Sequence, residues 1–210
     1  MKRRHFIATW TLAAAVGSSG AWAKTTPNIL VVGDSISAEY GLPRGTGWVA
    51  LLEKRLAEQK IQAVVHNASI SGDTTSGGRS RLAGLLGFYQ PTLVVIELGG
   101  NDALRGLPLQ STEDNLRQMT ETAQKAGAKV LLVGMQVPPN YGRDYANRFQ
   151  STFEKVAKSE KTGLVPFLLK GVADAPDPVA LFQPDRIHPK AEAHPTLLNN
   201  VWPELKKLLN

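Results

Sequence analysis

Runs of consecutive apolar residues alternate along the chain with longer segments in which apolar residues recur every three or four positions. The runs are typical of buried strands, and the wider spacing is typical of helices that cover one face. The runs predict strands at 28–32, 63–66, 93–96, 129–134 and 164–168. The spaced segments predict helices at 48–60, 80–89, 112–125, 145–161 and 191–209. Ser111 or Thr112 is the expected cap of the third helix, at 112–125, and Pro195 interrupts the last.

Strands that alternate with helices in this way predict one parallel sheet covered by helices on both faces. No repeat, linker or change in composition divides residues 24–210, so we expect a single α/β domain there. Ligands of open parallel sheets bind beyond the carboxyl ends of the strands. Polar, glycine-bearing segments follow the first three predicted strands, at 33–35, 67–73 and 99–102. These three loops are therefore expected to meet at one edge of the sheet.

The first 23 residues have the layout of a signal peptide. Basic residues at 2–4 precede an apolar stretch at 6–16, and an Ala-Trp-Ala sequence at 21–23 indicates cleavage after Ala23. The apolar stretch is shorter than the roughly 20 residues that a membrane-spanning helix needs. We therefore expect a periplasmic or secreted protein with no stable membrane span. The pair Arg3-Arg4 also permits twin-arginine export, so the export route stays open.

Composition removes several classes of function. Hydrophobic residues make up 42% and charged residues 20%, which is ordinary for a soluble globular protein. The chain has no cysteine, which excludes disulfides, thiolate nucleophiles and cysteine-ligated zinc. Its formal charge is +6, but three of the 24 basic residues lie in the leader, and the remainder carries +3. No basic run interleaved with aromatic residues occurs, so we expect no nucleic-acid partner.

Four histidines are candidates for a general base. His5 lies in the leader, His66 is expected to be a structural residue at the end of a strand, and His194 is expected on the surface of the last helix. His188 differs because it belongs to Asp185-Arg186-Ile187-His188-Pro189, just before that helix. An aspartate three residues before a histidine can bring its carboxylate to the imidazole Nδ1. The same spacing also occurs by chance in loops.

Other residues of serine-hydrolase chemistry follow the strands in order. Ser35 comes directly after the first strand, where Gly33 allows a tight exit, although Asp34 and Ser35 also suit a simple capping role. Gly72 can present a backbone N–H and Asn101 a neutral amide to an oxyanion, although both residues are common in turns. There is no Gly-x-Ser-x-Gly motif, so an ordinary α/β-hydrolase is not supported.

Taken together, these motifs identify a family resemblance. From about residue 28 to residue 202 the sequence resembles the SGNH (GDSL-type) hydrolase family. Within that family it is most similar to the small bacterial periplasmic enzymes described as arylesterase, acyl-CoA thioesterase and lysophospholipase. The resemblance rests on four blocks, at 33–37, 67–74, 97–102 and 185–189. Arg186 departs from the small residue, often glycine, expected inside the last block. This arginine leaves Asp185 and His188, the two functional positions of that block, unchanged.

The resemblance implies a flavodoxin-like three-layer α/β/α sandwich with a central parallel sheet. It implies a catalytic triad of Ser35, His188 and Asp185, and an oxyanion hole formed by Ser35, Gly72 and Asn101. It also implies hydrolysis of carboxylic esters and thioesters through an acyl-enzyme, without a metal or organic cofactor. The expected partner is a small or lipid-like acyl ester.

Substrate preference is weakly encoded. Apolar residues near the loops favour uncharged or lipid-like esters, namely Ile70, Leu104, Leu107, Pro108, Val137, Pro138 and Pro139. Two alternatives stay open at this point. One is a carbohydrate O-deacetylase built on the same triad, and the other is a non-catalytic binding protein that retains the fold. The sequence leaves the oligomeric state, the physiological substrate and the preferred acyl-chain length open.

Overall fold

The computed structural model of the protein describes residues 26–209. The predicted signal peptide at 1–23 lies outside these residues. Five strands form one sheet in the order β2-β1-β3-β4-β5, and every neighbouring pair is parallel. The strands are β1 (Asn28–Gly33), β2 (Val64–Asn67), β3 (Leu93–Glu97), β4 (Lys129–Val133) and β5 (Gly163–Val165).

Helices cover both faces of this sheet. They are α1 (Trp48–Glu58), α2 (Thr75–Tyr89), α3 (Gly100–Leu104), α4 (Leu109–Lys125), α5 (Arg143–Ser159) and α6 (His194–Leu208). Helix α1 packs against α6 in one layer, whereas α4 packs against both α2 and α5 in the other. Short 3₁₀ turns lie at Pro139–Tyr141, Pro178–Leu181 and Ala191–Ala193. The predicted three-layer α/β/α arrangement with a central parallel sheet is confirmed. Within residues 26–209, none of the helices has the length and apolar character to cross a membrane.

The burial of the central strands explains why unbroken apolar runs in the sequence predicted them. Ile29, Leu30, Val31 and Val32 of β1 are fully buried, because helices cover both faces of the strand. Strand β2 lies at the edge of the sheet, and its Val64 is exposed. The sheet therefore places the ends of β1 and β3 side by side at its centre, where Gly33 pairs with Glu97.

Helix α2 begins five residues before the predicted start. Its N-cap is Thr74, whose hydroxyl accepts a hydrogen bond of 3.2 Å from the Gly77 N–H. Gly77 and Gly78 occupy the first turn, and glycine weakens any helical pattern in the sequence. Gly78 has a packing reason to be there, since a Cβ would collide with Leu98.

Helix α4 begins at Leu109, and the predicted cap at Ser111 or Thr112 is wrong. Pro108 precedes the helix and no side chain caps it. Thr112 is instead buried inside the first turn, where its hydroxyl donates to the carboxylate of Asp102 at 3.3 Å. The short helix α3, which carries Asn101, was not predicted because a single turn has no periodicity to detect.

The C-terminal part of the chain also differs in its boundaries. Strand β5 ends at Val165 because Pro166 has no N–H to continue the ladder. A 3₁₀ turn precedes α6, so the terminal helix starts three residues later than predicted. Pro195 lies in the first turn of α6, where its missing N–H costs no intrahelical hydrogen bond.

Candidate active site

The loops that follow β1, β2 and β3 meet at the carboxyl edge of the sheet, as predicted. Beyond β2 the chain stays paired with β1, since the Ala68 N–H donates to the Val31 carbonyl (2.9 Å) and the Ile70 N–H to the Gly33 carbonyl (3.0 Å). This pairing carries the backbone toward Gly72. A fourth segment, residues 182–189, comes to the same edge from the far end of the chain.

Ser35, His188 and Asp185 lie within hydrogen-bonding distance in a continuous line. His188 Nε2 is 2.7 Å from Ser35 Oγ, and His188 Nδ1 is 2.6 Å from Asp185 Oδ2. The other carboxylate oxygen, Asp185 Oδ1, accepts the backbone N–H groups of Ile187 (2.9 Å) and His188 (3.0 Å). The carboxylate is thus held by its own loop, and the imidazole is aligned between an acid and a hydroxyl. This geometry suits removal of a proton from Ser35.

The segment that carries His188 is held to the loop that follows Ser35. Gln183 Nε2 donates to the Tyr40 carbonyl (2.9 Å) and to the Pro189 carbonyl (3.1 Å). Within the segment, the Gln183 N–H donates to the His188 carbonyl (2.8 Å). Arg186 forms the tip with a φ of +58°, in the left-handed region that favours glycine. That backbone conformation explains why a small residue is expected at the position where this sequence has an exposed arginine.

Two backbone N–H groups at this edge of the sheet are candidate donors to an oxyanion. Within residues 26–209, neither the Ser35 N–H nor the Gly72 N–H has a hydrogen-bond acceptor. Gly72 has a φ of +78°, which glycine adopts without strain. Asn101 Nδ2 donates to Asp34 Oδ2 at 3.0 Å, which fixes the orientation of the amide. An amide carries two hydrogens, so the second remains available to a ligand.

Two arginines hold the loop that carries Gly72. Arg105, at the end of α3, donates from Nη2 to the Gly72 carbonyl at 2.7 Å. Arg81 donates from Nε to Asp73 Oδ2 at 2.9 Å and from Nη1 to the Ala68 carbonyl at 2.5 Å. The first contact joins the loop to the helix of Asn101, and the second joins it to α2. Gly72 and Asn101, which come from separate loops, are therefore held in place relative to each other.

Comparison with known proteins identifies the family. Residues 31–195 match the GDSL-like Lipase/Acylhydrolase family. The chain belongs to this family. It is 54% identical over 181 residues to Esterase TesA of Pseudomonas aeruginosa, with 86% of this chain and 89% of that protein covered. A solved structure described as the crystal structure of TesA superposes with a TM-score of 0.83 at 54% identity, and covers 86% of this chain and 99% of that one.

Two further relatives are 40% identical. One is an arylesterase of Vibrio mimicus, matched over 89% of this chain and 92% of the relative. The other is Thioesterase 1/protease 1/lysophospholipase L1 of Escherichia coli (strain K12), matched over 90% of this chain and 88% of the relative. The chain is accordingly a hydrolase of ester bonds. Neither the carbohydrate deacetylase nor the non-catalytic binding protein is favoured.

Exposed apolar side chains neighbour several of the candidate site residues in this GDSL-family member. The ring of Tyr40 lies 4.4 Å from the imidazole of His188, and more than half of the tyrosine is exposed. Ile70, Leu104 and Ile187 are also exposed, next to the residues that carry the site chemistry. Ile70 and Leu104 were predicted near the groove, whereas Tyr40 was missed because its ring contact joins two distant parts of the chain. Val137, also predicted there, is partly buried and packs against the hydrophobic core.

The remaining described histidines have structural environments. His66 is half-buried and its ring lies 4.4 Å from that of Tyr89, as expected of a structural residue. The expected surface position of His194 is wrong, because its side chain is only 1% exposed. Its Nδ1 accepts a 3.0 Å hydrogen bond from the Trp48 N–H. The sequence gives no sign that this histidine, a polar residue at the start of an amphipathic helix, faces the interior.

The carboxylate of Asp185 remains charged across the working pH range of an esterase. Partial desolvation raises its pKa, but hydrogen bonds from the His188 ring and from the N–H groups of Ile187 and His188 outweigh that effect. The net result lowers the pKa of Asp185 to about 2. A charged carboxylate keeps the hydrogen of His188 on Nδ1 and leaves Nε2 as an acceptor for the serine proton.

Two buried carboxyl groups lie beneath Ser35. Burial raises the pKa of Asp34 to about 6, despite hydrogen bonds from the Ile36 N–H and the Asn101 amide. Burial and the neighbouring Asp34 raise the pKa of Glu97 well above its ordinary value. Ser37 Oγ donates to Glu97 Oε2 at 2.6 Å, and Trp48 Nε1 donates to the same hydroxyl at 3.1 Å. The pair therefore favours the protonated form of at least one member.

Glu97→Gln is expected to weaken the pH dependence of stability. Because the pKa values of Asp34 and Glu97 are raised on folding, the folded protein binds more protons than the unfolded chain, and their contribution declines as pH rises through about 6. The variant has one buried charge fewer, so its Tm should fall less between about pH 4 and pH 8, by at least about 3 °C. Thermal denaturation across that range measures it. Glu58→Gln, on the exposed face of α1, is the control, and parallel curves for all three proteins would refute the expectation.

Proposed function

We propose that Ser35 is the nucleophile of an acyl transfer to water. His188 Nε2 accepts the Ser35 proton while Oγ attacks the carbonyl carbon of the ester, and Asp185 stabilises the imidazolium that forms. Collapse of the tetrahedral intermediate breaks the bond to the alcohol or thiol, which leaves with the proton from His188. The acyl-enzyme remains on Ser35 Oγ. The observation that carries this proposal is the 2.7 Å contact between Ser35 Oγ and His188 Nε2.

The second half of the reaction reverses the roles of the same groups. His188 takes a proton from water, the hydroxide attacks the acyl carbon, and the proton then returns to Ser35 as the acid is released. In both halves the negative oxygen receives hydrogen bonds from the N–H groups of Ser35 and Gly72 and from the Asn101 amide. The unpaired state of those two N–H groups supports this role.

Uncharged or lipid-like acyl esters and thioesters are the substrate class we propose. The exposed apolar side chains of Tyr40, Ile70 and Leu104 beside the site support an apolar acyl or aryl group. The names of the relatives, which include an arylesterase and a thioesterase/lysophospholipase, support the same class.

A substrate panel on purified protein tests the proposed class. The panel consists of p-nitrophenyl esters and acyl thioesters of graded chain length, with acetylated xylan as the competing polar substrate. We expect turnover of the short and medium esters and thioesters, and release of acetate from xylan at a far lower rate. A preference for acetylated xylan over every p-nitrophenyl ester would contradict the apolar assignment. The absence of hydrolysis of any member would contradict the proposed function itself.

Asn101→Ala is expected to lower kcat by about 10²–10³-fold, since one donor to the oxyanion is lost. The KM should change little, because the missing hydrogen bond strengthens mainly in the transition state. Steady-state kinetics with a p-nitrophenyl ester measures both constants. Asn147→Ala, on the exposed face of α5, is the matched control. Near-full turnover by Asn101→Ala would remove this residue from the proposed mechanism.

We also propose that residues 1–23 are a signal peptide and that the mature chain from Lys24 is one domain in the periplasm or outside the cell. The basic start, the apolar stretch and the Ala-Trp-Ala sequence support this assignment. The prediction is an intact mass that begins at Lys24 when the full-length chain is expressed in a bacterium and recovered from the periplasm. Retention of residues 1–23 on the recovered protein would contradict it. Substitution of Arg3-Arg4 by Lys-Lys distinguishes twin-arginine export, which requires the pair, from general secretion.

A further inference from the structure

The proposed mechanism uses one imidazole, but a second lies completely buried nearby. His194 is the first residue of α6 and is 1% exposed. It accepts at Nδ1 from the Trp48 N–H, at 3.0 Å, so its hydrogen is on Nε2. The Pro189 carbonyl lies close to the same ring and favours its charged form. His194 therefore joins the start of α1 to the residue that directly follows His188.

His194 provides a hydrogen-bond acceptor for the first backbone N–H group of α1, that of Trp48. The first N–H groups of a helix have no partner within it, and the cap position of α1 is Gly47, which has no side chain to supply one. The imidazole of His194 takes this place from the opposite end of the chain, 146 residues away. A neutral ring is required, because protonated Nδ1 would be a donor facing another donor.

The surroundings keep the ring neutral. Burial lowers the pKa of His194 to about 4, and this effect outweighs those of the Pro189 carbonyl and of the Glu39 carboxylate, which both favour the charged form. Glu39 itself is occupied by the N–H groups of Gly45 (3.0 Å) and Gly47 (2.8 Å), just before α1. The same loop connects Ser35 to α1, so the ring lies between the start of α1 and the residue that follows His188.

The connection continues to the nucleophile. The indole Nε1 of Trp48 donates to Ser37 Oγ at 3.1 Å, and Ser37 Oγ donates to the buried Glu97 at 2.6 Å. Ser37 lies two residues after Ser35. A chain of buried polar contacts thus runs from the neighbour of His188, through His194 and Trp48, to the loop of Ser35.

We infer that His194 is a positioning residue that sets the separation between the His188 imidazole and the Ser35 hydroxyl. This inference rests on the proposed function of that pair. Gln183 also holds the Pro189 carbonyl, at 3.1 Å, so loss of His194 loosens the loop without releasing it. A misplacement of about 1 Å of a reacting group can cost about 10²-fold in rate. His194 is 1% exposed and does not reach the substrate, so the loss should appear in kcat and not in KM.

The test compares two replacements of similar size. Glutamine can accept from the Trp48 N–H through its carbonyl oxygen and donate to the Pro189 carbonyl through its amide, whereas leucine can do neither. We expect His194→Leu to lower kcat for a p-nitrophenyl ester by about 10–100-fold with KM within about twofold. His194→Gln should restore kcat to within about threefold of the parent protein. Assays run well below the Tm of each variant, which is measured in parallel.

Each outcome decides the inference. Equal kcat in the parent, His194→Leu and His194→Gln overturns it, and so does an equal loss in both variants. If His194→Leu does not fold, His194→Asn replaces it, because the shorter amide reaches only one of the two partners. The Asn variant should then lie at least about tenfold below the Gln variant in kcat, and equal values overturn the inference. An inactive parent protein would instead contradict the proposed function.

Discussion

Ser35→Ala is expected to lower kcat for a p-nitrophenyl ester by about 10⁴–10⁶-fold. The substitution removes the only atom that forms the acyl-enzyme in the proposed mechanism, and the remaining rate comes from bound water and the oxyanion donors. The side chain is small, and among residues 26–209 its hydroxyl bonds only to His188, so the fold should be unaffected. Steady-state kinetics and a thermal melt of the same preparation measure the two effects separately.

Ser80→Ala provides the matched control for this experiment. Ser80 is exposed on α2, where its hydroxyl donates to the Gly77 carbonyl, so the control removes the same atom away from the site. It should retain full activity. A Ser35→Ala protein that keeps its Tm and more than about a hundredth of the parent kcat would show that another group attacks the ester.

Asp185→Asn is expected to lower kcat by about 10³–10⁴-fold, although the side chain keeps its shape. One oxygen of Asp185 accepts two backbone N–H groups and the other faces His188 Nδ1. In the asparagine variant the single oxygen is best placed toward the two N–H groups, which turns the NH₂ toward Nδ1. The imidazole must then carry its hydrogen on Nε2, where it can no longer accept the proton of Ser35.

A surface control and the pH profile of the parent enzyme test the same role of Asp185. Asp144→Asn, at the exposed start of α5, makes the same chemical change away from the site and should leave kcat unchanged. Because the pKa of Asp185 is about 2, the parent enzyme should not lose this interaction until strongly acid pH. Comparable kcat values for Asp185→Asn and Asp144→Asn would contradict the assigned role of the carboxylate.

The parts of the fold that were predictable are those buried on both sides. Strands β1, β3 and β4 appear in the sequence as unbroken apolar runs because helices cover both faces of the sheet. The start of α2 was hidden by Gly77 and Gly78, which the helix accepts for packing at the cost of helical propensity. Helix α3 was hidden by its length of a single turn.

In the candidate site, the sequence predicts the residues with chemical roles but not the residues that hold them in position. Ser35, Gly72, Asn101, Asp185 and His188 could be predicted because each lies in a short block whose order along the chain is informative. The residues that hold them were not found, because each acts on a distant partner. Gln183 bonds to Tyr40 across 143 positions, and nothing in either local sequence indicates that contact. Burial of His194 is likewise decided by the packing of α6 on α1.

Covalent labelling identifies the residue that attacks the ester. An activated alkyl phosphonate ester reacts at phosphorus with a serine whose proton is accepted by a base. Oγ forms a bond to phosphorus, the leaving group is released, and the phosphonyl label remains on Oγ. Trypsin releases residues 25–44 as one peptide that contains Ser35 and Ser37, and fragmentation distinguishes these two serines. We expect one equivalent of label on Ser35, with labelling slowed by at least about 10³-fold in His188→Gln. Labelling at another residue, or equally fast labelling without His188, would contradict it.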